Sequence, residues 1–125
     1  MPPKKTEALA AAFFDAIENG DIQALADCYD DHVVIWHNTD RLETGKAQNI
    51  ALLERFMAIA PVRRYEKRRL SILPGGFVQQ HVVEAVLTSG RRCALHACVV
   101  CAVADGRITR LDEYFDSAEV AAFAG

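Results

Sequence analysis

Four polar side chains stand in runs otherwise suited to burial. His37 and Asn38 follow "VVIW", His81 lies inside "FVQQHVVEAVL", and Glu113 lies inside "RITRLDEYFD". An imidazole titrates near ~6.5, so it both takes and gives protons at neutral pH. A carboxylate among apolar neighbours is penalised for its charge, and one brought toward neutrality suits general acid–base chemistry. Alternation along a strand decides which of these groups can meet. Leu111, Glu113 and Phe115 share one face, with Arg110, Asp112, Tyr114 and Asp116 on the other. Glu113 is therefore the carboxylate on the apolar side. Gln79, His81, Val83 and Ala85 also share a face. If that face points inward, His81 enters the interior beside His37.

Two histidines and a glutamate are also the components of a metal-binding facial triad. Here they are scattered over three strands without local spacing, so no metal and no cofactor is expected. Cys98 and Cys101 form a C-x-x-C, but within "CALHACVVCAV", which reads as a strand. Side chains three apart in a strand point to opposite faces, which separates the sulfurs and argues for buried apolar cysteines.

These residues need elements to hold them. "TEALAAAFFDAIENGD" carries Leu9, Phe13, Ala16 and Ile17 at helical spacing, with Thr6 as its cap and Gly20 as its stop. Asp21 caps a second helix, "IQALADCYDD". "GKAQNIALLERFMAIAP" is a third, lined by Leu53, Phe56 and Met57 and ended by Pro61. From Val62 the period becomes two. "VRRYEKRRLSIL", "FVQQHVVEAVL", "RRCALHACVVCAV" and "RITRLDEYFD" are four strands joined by the turns "PGG", "TSG" and "ADG", the pattern of antiparallel hairpins. "SAEVAAFAG" reads as a last helical turn. Helices followed by a meander predict an α+β fold: a curved, mostly antiparallel sheet wrapped around N-terminal helices, making a cone with an internal pocket.

The run "RRYEKRR" puts charge on both faces of its strand, Arg63, Tyr65, Lys67 and Arg69 on one side and Arg64, Glu66 and Arg68 on the other. That pattern suits a solvated edge strand. "CALHACVVCAV" is apolar on both faces, so its outer side, Ala94, His96, Cys98, Val100 and Ala102, predicts a homodimer across the convex face of the sheet.

With 125 residues, one domain spanning 1–125 is expected. A net charge of −3 argues against a nucleic-acid partner. No stretch approaches the ~20 apolar residues of a membrane span, and "MPPKKTEALAAAFF" has no signal-peptide pattern, so a cytoplasmic protein is expected.

"FFDAIENGDIQALADCYDDHVVIW" resembles the opening of the nuclear-transport-factor-like cone fold. "ADGRITRLDEYFD" resembles the closing hairpin of its SnoaL-like and ketosteroid-isomerase-like branches. The resemblance covers nearly the whole chain and implies the cone, but this fold hosts many activities. Compared with ketosteroid isomerases, His37 falls at the position of the base. The oxyanion-hole positions of that family, a tyrosine and a neutral aspartic acid, fall on Phe13 and on Ala97 or Cys98, so neither donor is retained. Compared with limonene-epoxide hydrolases, Asn38 and Glu113 match a first-strand asparagine and a last-strand aspartate, while His81 and Val83 replace the Arg and second Asp. SnoaL-like cyclases also place an acid–base carboxylate near Glu113. The pair His37 and His81 is similar, by residue type, to the histidines of scytalone-dehydratase-like members.

The resulting expectation is metal-free acid–base chemistry of isomerase, cyclase or dehydratase type on a small, mostly apolar molecule. His37 is the base, Glu113 and His81 are further acid–base groups, and Asn38, Phe13 and Trp36 bind substrate. The alternative is a non-catalytic module of the same fold that binds a small ligand or dimerises.

Overall fold

The computed structural model describes residues 1–124. Helix α1 (Pro3–Asn19) starts three residues before the expected cap at Thr6. Pro3 occupies the first helical position, where its missing N–H costs nothing. Thr6 is instead buried on the inner face with Ala10, Phe13, Phe14, Ala16 and Ile17. Gly20 ends α1 in the left-handed region at φ 71°, a conformation natural to glycine. Asp21 caps α2 (Ile22–Cys28) by accepting the Ala24 N–H at 3.1 Å. The second helix is shorter than its sequence pattern. Tyr29 already belongs to β1 (Tyr29–His37), where it pairs with Ile108, so long-range pairing overrides the local helical preference.

A two-residue strand, β2 (Glu43–Thr44), and α3 (Lys46–Ile59) follow. The four long strands are β3 (Val62–Leu73), β4 (Gly76–Val86), β5 (Arg92–Ala104) and β6 (Arg107–Phe115). The tail forms α4 (Ser117–Ala124), a full two turns rather than one. The strands make one sheet in the order β2-β1-β6-β5-β4-β3, antiparallel except where β1 runs parallel to β6. Helix α1 packs on β3 and β4, α3 on β1, and α4 on β5. The fold is the expected α+β cone.

Inward faces follow the alternation read from the sequence in β4, β5 and β6. Phe77, Gln79, His81, Val83 and Ala85 are buried, as are Leu95, Ala97, Val99, Cys101 and Val103. Cys98 and Cys101 accordingly lie on opposite faces. Gly76 opens β4 against β5 so closely that a Cβ there would collide with the Cys101 carbonyl oxygen.

Strand β3 departs from simple alternation. Lys67 has φ 54°, and Lys67 and Arg68 together oppose the single residue His81. This bulge shifts the phase by one. The inner side is therefore Arg63, Tyr65, Arg68, Leu70 and Ile72, and Lys67 and Arg69 are exposed rather than aligned with Tyr65. As the sequence pattern suggested, β3 is an edge strand. Arg68 reaches back to Asp15 at 2.7 Å and Glu18 at 3.0 Å. Arg63 closes the C-terminal ends of two helices, donating to the carbonyls of Ile17 and Glu18 in α1 and of Met57 and Ala60 at the end of α3.

No helix among the described residues is long and apolar enough to cross a membrane.

Candidate active site

The cone encloses a cavity of about 280 Å³. Its walls are mainly hydrocarbon, with Phe13, Phe14, Leu53, Phe56, Val99 and Leu111 prominent, and α4 adds Val120 and Phe123. Phe56 and Phe123 meet edge to face at 5.8 Å, joining α3 to α4 at one side. Thr39, Asp40 and Leu52 are wall residues that are also exposed, and they mark the mouth.

His37 and Glu113 supply the polar end. They are register partners on the parallel strands β1 and β6, so their side chains leave the sheet side by side. His37 Nε2 lies 3.2 Å from Glu113 Oε1, and the two side chains are 15% and 17% exposed. The His37 ring stacks on Phe115 with centroids 5.9 Å apart and planes 9° from parallel, which fixes its rotation. Burial alone would lower the His37 pKa. The hydrogen bond and charge of Glu113, with the charge of Asp40, outweigh burial and raise it above the ordinary 6.5. Glu113 does not pair with an arginine from the "YEKRR" run.

The charge on Glu113 is felt throughout the cavity. Tyr29, Tyr65 and Cys101 are pushed up, first by burial and then by that carboxylate. Both phenols therefore keep their protons. Tyr29 and Tyr65 line the cavity, together with Asn49.

His81 faces inward but does not reach the cavity. Its ring is packed between Phe14, at 5.0 Å, and Tyr65, at 4.9 Å, and these two residues form the wall in its place. Its Nδ1 lies 3.0 Å from Gln79 Nε2, which donates to it, so the ring proton is on Nε2, where it has no partner. Burial drives the His81 pKa down to about 4, making it a neutral histidine of the packed layer rather than a proton shuttle beside His37.

Two other assignments change for clear reasons. Trp36 lies on the opposite face of β1 from His37 and packs edge to face on Tyr114 at 5.3 Å, outside the cone. Adjacent strand residues cannot both point inward. Asn38 is used by the backbone: its amide donates to the Phe115 carbonyl at 3.0 Å and accepts the Phe115 N–H at 2.8 Å. It fastens the end of β1 to β6 and so holds His37 against Glu113. Phe13 is in the cavity wall.

Asn49 and Tyr65 are wall residues that the sequence reading passed over. Asn49 precedes Leu53 by four positions and Phe56 by seven, so it interrupts the apolar stripe of α3, a visible signal. Tyr65 was masked by the surrounding charges of "RRYEKRR". No group of three or more His, Cys, Asp or Glu side chains converges as a metal site among the described residues.

This order of helices and strands around an apolar cavity defines a nuclear-transport-factor-like cone protein. The SnoaL-like domain model matches residues 10–111, and the chain belongs to that family. Solved structures share the architecture. A proposed polyketide cyclase from Xanthomonas campestris superposes with a TM-score of 0.86 at 19% identity, covering 98% of each chain. A limonene-epoxide-hydrolase-like epoxide hydrolase from M. tuberculosis gives 0.80 at 20% identity, covering 97% of this chain and 90% of that one. A protein of the same fold class from Burkholderia xenovorans gives 0.80 at 17% identity, covering 100% and 99%. At such identities the likeness establishes the fold. No protein of curated function matches the sequence significantly.

Proposed function

We propose that the protein is a metal-free acid–base enzyme of isomerase, cyclase or dehydratase type, acting on a small, mostly apolar molecule. The observation that carries this reading is the His37–Glu113 pair, 3.2 Å apart at the polar end of an otherwise hydrocarbon cavity. The family and the named activities of structural neighbours are compatible with it.

The raised pKa supports reading His37, expected as the base, as the proton donor instead. Because Glu113 raises the His37 pKa, the imidazolium is favoured and His37 is the proton donor. Glu113 is the acceptor, taking a proton from an acidic C–H while the electron pair moves to a neighbouring oxygen. Return of the proton at a second carbon isomerises the ligand; loss of hydroxide, protonated by His37, dehydrates it. Such a pair typically supplies 10²–10⁴-fold, roughly, in rate.

The rival reading is a binding module. It draws support from Phe13, which brings hydrocarbon to a position where the related isomerases carry an oxyanion donor. One experiment separates the two. 2-Tetralone has an acidic methylene and fits an apolar cavity. In deuterated water the protein should speed its hydrogen–deuterium exchange, followed by proton NMR, and Glu113→Gln should abolish the acceleration. Binding without faster exchange would leave the module reading in its place.

We also read the convex face as a homodimer contact. It presents Val82, Val100 and Cys98 beside the Trp36–Tyr114 pair, and Tyr114 is 46% exposed.

A further inference from the structure

Asn49 is a polar side chain set deep in a hydrocarbon wall. It is only 4% exposed and lies in the cavity lining, on the same face of α3 as Leu53 and Phe56. Its Oδ1 accepts a hydrogen bond from the Tyr29 hydroxyl at 2.7 Å. That length suits O–H···O better than N–H···O. Burial and the nearby Glu113 charge keep the Tyr29 proton in place, so the phenol is a dependable donor. The amide is thereby held one way round, with oxygen toward Tyr29 and nitrogen away from it.

Nδ2 then carries two N–H groups with no partner among the described residues. The atom is not sealed in. His81 Nε2 is the fully enclosed side-chain polar atom that lacks a partner, whereas Asn49 Nδ2 is not so enclosed. For a residue this buried in the cavity wall, the open direction is the cavity. A donor facing an apolar space is unfavourable until something accepts from it.

We propose that Asn49, oriented by Tyr29, is a ligand-binding residue that donates from Nδ2 to an acceptor oxygen of the bound molecule, at a station separate from the His37–Glu113 pair. The inference rests on reading the cavity as a ligand site, and it does not require turnover. It defines the ligand class further: an apolar body with an acceptor oxygen, such as a carbonyl or ether, directed toward α3. Tyr29 is a positioning residue, acting through Asn49.

The test compares two probes of nearly equal shape, 2-acetylnaphthalene and 2-isopropenylnaphthalene, which differ by an oxygen in place of a methylene. Both are titrated into ¹⁵N-labelled protein. The ketone should bind about fivefold to tenfold more tightly, the range of one net hydrogen bond. It should shift the Asn49 side-chain amide resonances, and the hydrocarbon should not. The preference should vanish in Asn49→Leu, fall part-way in Tyr29→Phe, and persist in Glu113→Gln. If it survives Asn49→Leu, or disappears with Glu113→Gln, the oxygen sits at the dyad and the proposal is overturned. Failure of both probes to perturb cavity residues overturns it too. Should Asn49→Leu not fold, the amide resonances of the unmodified protein decide alone. A protein that shows the ketone preference but no exchange of 2-tetralone retains the Asn49 station and loses the catalytic reading.

Discussion

His37 and Glu113 stand opposite each other on the only parallel strand pair of the described sheet, with Nε2 and Oε1 3.2 Å apart. Neighbouring strands thus deliver an imidazole and a carboxylate to the same point without any loop between them. Asn38, bonded twice to the Phe115 backbone, closes the same junction one residue further on.

Removing either partner should reduce proton transfer by roughly 10²–10⁴-fold while leaving the fold intact. His37→Gln and Glu113→Gln are the variants, circular dichroism checks the fold, and exchange of 2-tetralone checks the chemistry. The pair also sets a pH dependence. The His37 pKa is raised above 6.5, so the stabilisation it brings is complete below that value and is lost as pH rises through the raised one. In urea unfolding, wild type should exceed His37→Gln by more at about pH 6 than at about pH 9. An equal margin at both would mean that the contact is not ionic.

His81 gives the opposite dependence. Its pKa falls from 6.5 to about 4 on folding, so stability held above 6.5 is lost as pH drops toward 4. Full protonation corresponds to a loss of roughly 3 kcal/mol. His81→Gln should flatten this part of the acid limb in thermal or urea unfolding. A variant that loses stability with acid as steeply as wild type would locate the sensitivity elsewhere.

Arg63 ties α1 and α3 to the edge strand through four carbonyls. Arg63→Leu leaves those carbonyls without their donor and should cost roughly 2–3 kcal/mol in urea unfolding. Arg63→Lys should recover little of it, since an ammonium cannot span both helix ends as the planar fork does. Full recovery by lysine would show that charge, rather than geometry, holds the ends.

Assembly can be tested on the convex face. Val100→Lys should convert a dimer into monomers, or lower solubility, by sedimentation at micromolar concentration. A monomeric unmodified chain under the same conditions would refute the interface.

The sequence made the scaffold readable because its cues were local. Glycine turns bounded the strands, Gly20 and Asp21 punctuated the first two helices, and alternation placed Glu113, Val99 and Cys101 on the inner side. The expectation that Trp36 joins His37 in one pocket goes against that same alternation, since the two are adjacent in the strand. Other features depend on distant contacts. The parallel register that joins His37 to Glu113 has no local signature, and neither does the displacement of Tyr29 from helix into strand by Ile108. His81 looked like a cavity residue because parity distinguishes inside from outside, but cannot distinguish the inner packed layer from the open space beyond Phe14 and Tyr65. The bulge at Lys67 was equally hidden, for it is a count of residues against a partner strand.

That bulge has a consequence for how the pocket can change. A curved sheet needs a longer path along one strand than along its neighbour, and β3 gains the extra length where Lys67 and Arg68 share one partner. The excess contour is taken up at Lys67, whose side chain is in solvent, rather than by the rings that line the interior. Bend and lining are therefore encoded in different residues. Substitutions at Phe13, Asn49 or Phe56 can reshape what the hollow accepts while the arc that encloses it is kept, which gives one architecture room to drift among ligands.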